Sequence, residues 1–102
     1  MLRALVLGES DNVATLIAEG NPGDECQLRG QRSDTIILRA HIPYGHKIAI
    51  TTLSAGDEVK KYNEVIGRMT QGAEPGDHVH VHNVESIRGR GDLVKAARGQ
   101  GR

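Results

Sequence analysis

Leu2 to Leu7 is a short, mostly apolar run, the pattern of a strand buried on both faces, and Gly8 ends it. Next, Ser10 or Asp11 can cap the segment from Asn12 to Glu19, in which Val13, Leu16 and Ile17 fall at helical spacing. Gly20 with Asn21-Pro22-Gly23 supplies a stop, so the spacing predicts one short helix there. Beyond it the period changes to two. Thr35 to Ala40, Lys47 to Thr52, Glu58 to Tyr62 and His78 to His82 are short, β-prone and bounded by turn residues. The pattern therefore predicts a mainly β fold. Gly-Asp recurs at Gly23-Asp24, Gly56-Asp57, Gly76-Asp77 and Gly91-Asp92, the first three just ahead of a strand-like stretch. The intervals are irregular, which reads as reused turn chemistry and not as a solenoid repeat.

A chain of 102 residues holds one small domain. With no Phe, no Trp and two Tyr, its core is built from Val, Ile, Leu and Ala and is modest, so support from a partner subunit, a homo-oligomer or a metal is in keeping with the composition. Thirteen basic and thirteen acidic side chains cancel, which excludes a globally basic nucleic-acid binder. The cancellation is uneven along the chain, however: Arg88, Arg90, Lys95, Arg98 and Arg102 face only Asp92 near the C-terminus. This divides the chain into a domain over residues 1–87 and a basic, Gly/Arg-rich tail over 88–102, expected to be flexible. Lacking aromatics to stack bases, the tail is not expected to bind nucleic acid. A single Cys26 cannot staple the fold and reads as a small core residue, no run approaches a membrane span, and a cytoplasmic location follows as the expectation.

Two segments carry candidate chemistry. On a strand, the imidazoles of His78, His80 and His82 would share one face while Val79 and Val81 pack on the other. Same-face neighbours lie roughly 6.5–7 Å apart, and two imidazoles at that spacing can converge on one ion at ~2.0–2.1 Å. Further ligands would have to come from His46, His41, Asp77 or a carboxylate of another chain, and imidazole with carboxylate suits iron, zinc or manganese. The competing reading is an exposed, merely polar face. The second segment, Ile42-Pro43-Tyr44-Gly45-His46-Lys47, is a turn between strand-like runs. It delivers His46 as acid, base or ligand beside Lys47 as a point charge for a carboxylate, against the plainer reading of a polar hairpin tip.

Four stretches occur together and in order: Asp11-Asn12-Val13-Ala14, Ile42 to Ala49, Gly56 to Gly67, and Gly76-Asp77-His78-Val79-His80-Val81-His82-Asn83. In combination they resemble the SAF domain of the altronate and galactarate dehydratase family, from about Asp11 to Glu85. That resemblance implies a small β-clip domain. It also implies a metal-dependent lyase acting on hydroxylated sugar acids such as altronate or galactarate, or on sulfolactate, with a large catalytic subunit as partner. The implied metal is divalent, Fe(II) first, with Mn or Zn as alternatives. Asn63 stands where the family usually has Gly, a change that left-handed backbone angles tolerate.

Eliminating water from a dihydroxy acid needs a base for the proton beside the carboxylate and an acid for the departing hydroxyl. Set beside the resemblance, this chemistry gives His46, His80 and His82 as catalytic and metal-facing residues, Lys47 on a substrate carboxylate, and Asn83 orienting substrate by hydrogen bonds. His78 stays outside that set. The alternative function is a non-catalytic module that binds a carbohydrate or carboxylate, or serves assembly.

Overall fold

The computed structural model describes residues 2–86, which form nine strands and no helix. In order these are β1 (Leu2–Val6), β2 (Val13–Leu16), β3 (Glu25–Gly30), β4 (Asp34–Ile37), β5 (Lys47–Ala49), β6 (Glu58–Lys61), β7 (Glu64–Met69), β8 (His78–Val79) and β9 (Val84–Ser86). Six make one sheet in the order β4-β3-β1-β2-β5-β8, and three make a second in the order β6-β7-β9. The domain is mainly β, as the alternating pattern and the β-clip resemblance both led one to expect. No helix among the described residues is long and apolar enough to cross a membrane. The tail over 88–102 lies outside the described residues.

The expected helix over Asn12 to Glu19 is instead β2, antiparallel to β1 through Ala4↔Leu16 and to β5 through Val13↔Ala49. Val13 belongs to one apolar cluster and Ala14 and Leu16 to another, so β2 is buried on both faces between two cores. Ile17, the third member of the supposed helical stripe, is 42% exposed. Strand pairing on two sides satisfies this backbone more fully than a two-turn helix with one apolar stripe would. The β-branched residues at Val13, Thr15 and Ile17 already carried the period of two. Asp11 caps no helix; its carboxylate accepts from the backbone N–H of Gly8 and of Asn63 at 3.0 and 2.8 Å. Those bonds outweigh the cost of burial and hold its pKa below the usual carboxylate value. Asn63 and Tyr62 form the two-residue tip between β6 and β7 with φ of 62° and 57°, the left-handed angles that such a tip requires.

What organises the fold is one turn unit used four times among the described residues, over 16–26, 38–48, 49–59 and 69–79. Each has a glycine of positive φ at its eighth position: Gly23, Gly45, Gly56 and Gly76. In each, the N–H of the residue after the glycine closes a turn onto the carbonyl three residues back, at 2.9 to 3.1 Å. Each turn is then clipped to the first residue of another copy by a reciprocal pair of backbone bonds. Gly23 and Asp24 hold Leu38, Gly45 and His46 hold Leu16, Gly56 and Asp57 hold Met69, and Gly76 and Asp77 hold Ala49. The first two copies thus embrace each other, as do the last two, joined by the bridges Gly20↔Ile42 and Leu53↔Ala73. The last residue of each unit, Cys26, Ile48, Val59 or Val79, is fully buried. Three of the Gly-Asp pairs seen in the sequence are these turns; the fourth unit, with Gly45-His46, lacks the Asp and was invisible as a copy.

Candidate metal and substrate site at the histidine cluster

In three of the four turns the Asp after the glycine folds back to accept the N–H at the turn's start. Asp24 takes Asn21 N–H at 2.9 Å, Asp57 takes Ser54 N–H at 2.8 Å, and Asp77 takes Glu74 N–H at 2.8 Å. In the remaining turn the starting residue is Pro43, which has no N–H to offer. A carboxylate at position 46 would have no donor there. Proline therefore releases this position from its structural duty, and a histidine occupies it. The His46 backbone stays fixed, its N–H on Pro43 O at 3.1 Å and its carbonyl on Leu16 N–H at 2.9 Å, while its side chain is free to serve the site.

Sheet register then decides what His46 meets. β5 and β8 pair antiparallel with Ile48↔His78 and Lys47↔Val79. Carried one pair further, that register sets His46 opposite His80, with His78 on the diagonal, the cross-strand positions whose side chains touch. The rings stack accordingly. Centroids lie 4.1 Å apart for His46 and His80, 5.1 Å for His46 and His78, and 5.3 Å for His78 and His80. His46 Nδ1 and His78 Nε2 are 2.9 Å apart, a hydrogen bond in which one ring donates and the other accepts.

The strand expected over His78 to His82 ends at Val79. Residues 80–83 form a turn closed by Asn83 N–H on His80 O at 3.0 Å, and Val81, expected to pack inward, is 81% exposed at its tip. His82 is exposed, its ring tilted against His78 at 5.2 Å and outside the tight group. Asn83 is buried beneath the turn: its Oδ1 accepts from His80 N–H and its Nδ2 donates to His78 O, both at 2.9 Å. Lys47 is half-buried and lines a groove of about 230 Å³ with Ile66, His80, Val81, Val84 and Ser86.

Burial holds the His78 pKa well down, to about 4 from an ordinary 6.5, with the neighbouring imidazoles adding repulsion. Burial lowers the His80 pKa as well, with His46 and Lys47 next in effect. The Lys47 pKa is lowered first by burial and then by the Lys61 charge. At neutral pH the His78 and His80 rings are therefore held neutral, the form that ligates a cation. The same shift ties stability to pH. Below about 6.5 the unfolded chain takes up a proton that folded His78 resists until near 4, so stability present above 6.5 drains away as pH falls through that window. Urea midpoints of the metal-free chain should drop from pH 7.5 to 4.5 and flatten in a His78→Asn variant; equal midpoints across the range would contradict it.

The donor set fits a divalent metal. One ligand atom from each of His46, His78 and His80 lies within 4.8 Å of the others. Ligands at ~2.1 Å from a single ion stand about 3 Å apart, so modest ring rotation closes the gap. His78, outside the set that the sequence pointed to, is thus nearer its centre than His82; the two-residue alternation was the signal for it. The other candidate ligands are spent elsewhere. His41 pairs with Glu19 at 2.6 Å, and Asp77 closes its own turn and meets Arg39 at 3.1 Å. A roomier hollow of about 480 Å³ by Arg32, Ile37, Arg39 and Pro75 contains none of the histidines, and both its arginines are paired with aspartates.

Comparison with known proteins agrees with this architecture. The chain is 47% identical over 64 residues to (2R)-sulfolactate sulfo-lyase subunit alpha of Paracoccus pantotrophus, covering 62% of this chain and 96% of that protein. It is 51% identical over 47 residues to the subunit of the same name in Chromohalobacter salexigens, covering 46% of this chain and 50% of that one. Altronate dehydratase of Escherichia coli is 37% identical over 76 residues, which cover 74% of this chain but only 15% of the enzyme. Residues 2–87 match the family described as the altronate/galactarate dehydratase SAF domain, and the chain belongs to that family.

Proposed function

We propose that this chain is the small subunit, or a separate domain, of a metal-dependent lyase that acts on a hydroxylated acid together with a large partner chain. The observation that carries the proposal is the approach of His46, from the turn before β5, to His78 on β8 and His80 just beyond it, with one ligand atom of each within 4.8 Å of the others. Such an array has no structural purpose that a polar surface requires. Its similarity both to a protein named as a subunit and to a small part of a long dehydratase supports a partner that supplies the rest. So does the surface. Tyr44 and Val81, 71% and 81% exposed, are the most exposed large apolar side chains among the described residues, and they flank His46 and His80 in sequence.

A divalent ion held by the imidazoles, Fe(II) in the first instance, would act as a Lewis acid toward an oxygen on the substrate. Beside it, exposed His82, outside the ligand group, can take up or release a proton at a ring nitrogen. Lys47, desolvated in its groove, offers a positive charge to the substrate's carboxylate or sulfonate. The His80 ring stacks on His46 with centroids 4.1 Å apart.

The test is turnover with both chains present. This chain and the product of the adjacent reading frame should copurify, and together, but not singly, they should consume altronate, galactarate or (2R)-sulfolactate. Full activity of the large chain alone, or no association, would defeat the proposal.

A further inference from the structure

We infer that Asn83 is a positioning residue, which sets the imidazole array through the backbone and touches no substrate. The inference rests on the reading of His46, His78 and His80 as the working imidazoles. Asn83 is the only buried polar side chain among the described residues, at 5% exposure. Its amide is used at both ends, accepting from His80 N–H and donating to His78 O at 2.9 Å each. Its backbone is used too: Asn83 N–H meets His80 O at 3.0 Å, and Asn83 O takes Thr70 N–H, just past β7, at 2.8 Å. One residue thereby clamps the peptide groups on either side of Val79 and ties them to the second sheet.

The consequence is geometric. β8 is an edge strand two residues long, and nothing pairs its outer side among the described residues. Left unclamped, the segment over 78–82 would be free to slide or fray, because an edge strand with one partner is weakly held in register. A slip of one residue turns every side chain to the opposite face. The clamp stops the ladder at the pair that puts His80 over His46, and it turns the chain so that Val81 points outward. An amide suits this place because the two targets are one donor and one acceptor. A carboxylate serves only the first, and an alkyl group neither.

The test uses the intact chain with Asn83→Ala, Asn83→Asp and, as a control, Leu28→Ala, a core truncation on β3. Two readouts are taken: the nuclear Overhauser contact between the His46 and His80 rings without metal, and affinity for Co²⁺ alone. In Asn83→Ala the ring contact should vanish and Co²⁺ affinity should fall about 10–100-fold, the usual cost of losing an outer support. Asn83→Asp, which keeps the oxygen facing His80 N–H, should restore the contact in part. Leu28→Ala should lower the thermal midpoint yet keep the contact. Should the alanine variant fail to fold, Asn83→Ser, too short to span both backbone groups, carries the same expectation. A ring contact that survives in Asn83→Ala or Asn83→Ser, or that is lost equally in Leu28→Ala, overturns the inference. If the unaltered chain takes up no Co²⁺ while Asn83→Ala still parts the rings, the metal reading fails and the positioning role stands.

Discussion

The double variant Pro43→Ser/His46→Asp should fold as well as the parent and bind metal at least about 100-fold more weakly. The fold expectation comes from the other three turns, where a carboxylate at this position accepts the N–H at the turn's start at 2.8 to 2.9 Å. Serine restores that N–H and aspartate meets it. The new hydrogen bond is worth ~0.5–1.5 kcal/mol, and it offsets the ~0.4–1 kcal/mol that proline contributes by stiffening the unfolded chain. His46→Asp alone leaves the carboxylate without a donor and should be the less stable variant. The binding expectation follows from removing one of three converging imidazoles, a larger insult than the ~10–100-fold cost of losing an outer support. Thermal melting and Co²⁺ titration of the single and double variants measure both halves. Metal affinity unchanged in a folded double variant would remove His46 from the site.

Leu16→Ala should cost about 2–5 kcal/mol, and Ile17→Ala less than about 1 kcal/mol. Leu16 is fully buried, opens the first turn unit and receives the clip from Gly45 and His46; Ile17 is 42% exposed. On a helix the two positions would share a face and cost comparable amounts. For a domain of this size the larger loss amounts to a large part of total stability and should lower the thermal midpoint by well over ten degrees. Denaturant titration of the two variants gives the comparison directly, and equal costs would contradict the strand assignment.

Much of the architecture was legible in the chain. Period-two segments at Thr35, Lys47 and Glu58 became β4, β5 and β6, and three Gly-Asp pairs became clipped turns. Less legible was Val13 to Leu16, whose apolar residues fit helical spacing while its β-branched residues fit a strand. Partners on both sides decided between them. The strands β3, β7 and β9 are harder to read: in β3 only Cys26 and Leu28 alternate with polar neighbours, Gly67 breaks the apolar run of β7, and β9 is three residues long with a single apolar one.

The candidate site divides in the same way. Residue types and alternation near position 80, with the Gly-His-Lys turn, were enough to nominate His46, His80 and Lys47, because those are local facts of chemistry and spacing. That His78 stands closer to the centre than His82, that Asn83 faces the backbone, and that Pro43 frees His46 are facts of tertiary structure. Each depends on which strand pairs with which and in what register. A local pattern of side chains does not encode pairing between segments some thirty residues apart; the closing of turns and the burial of shared cores do.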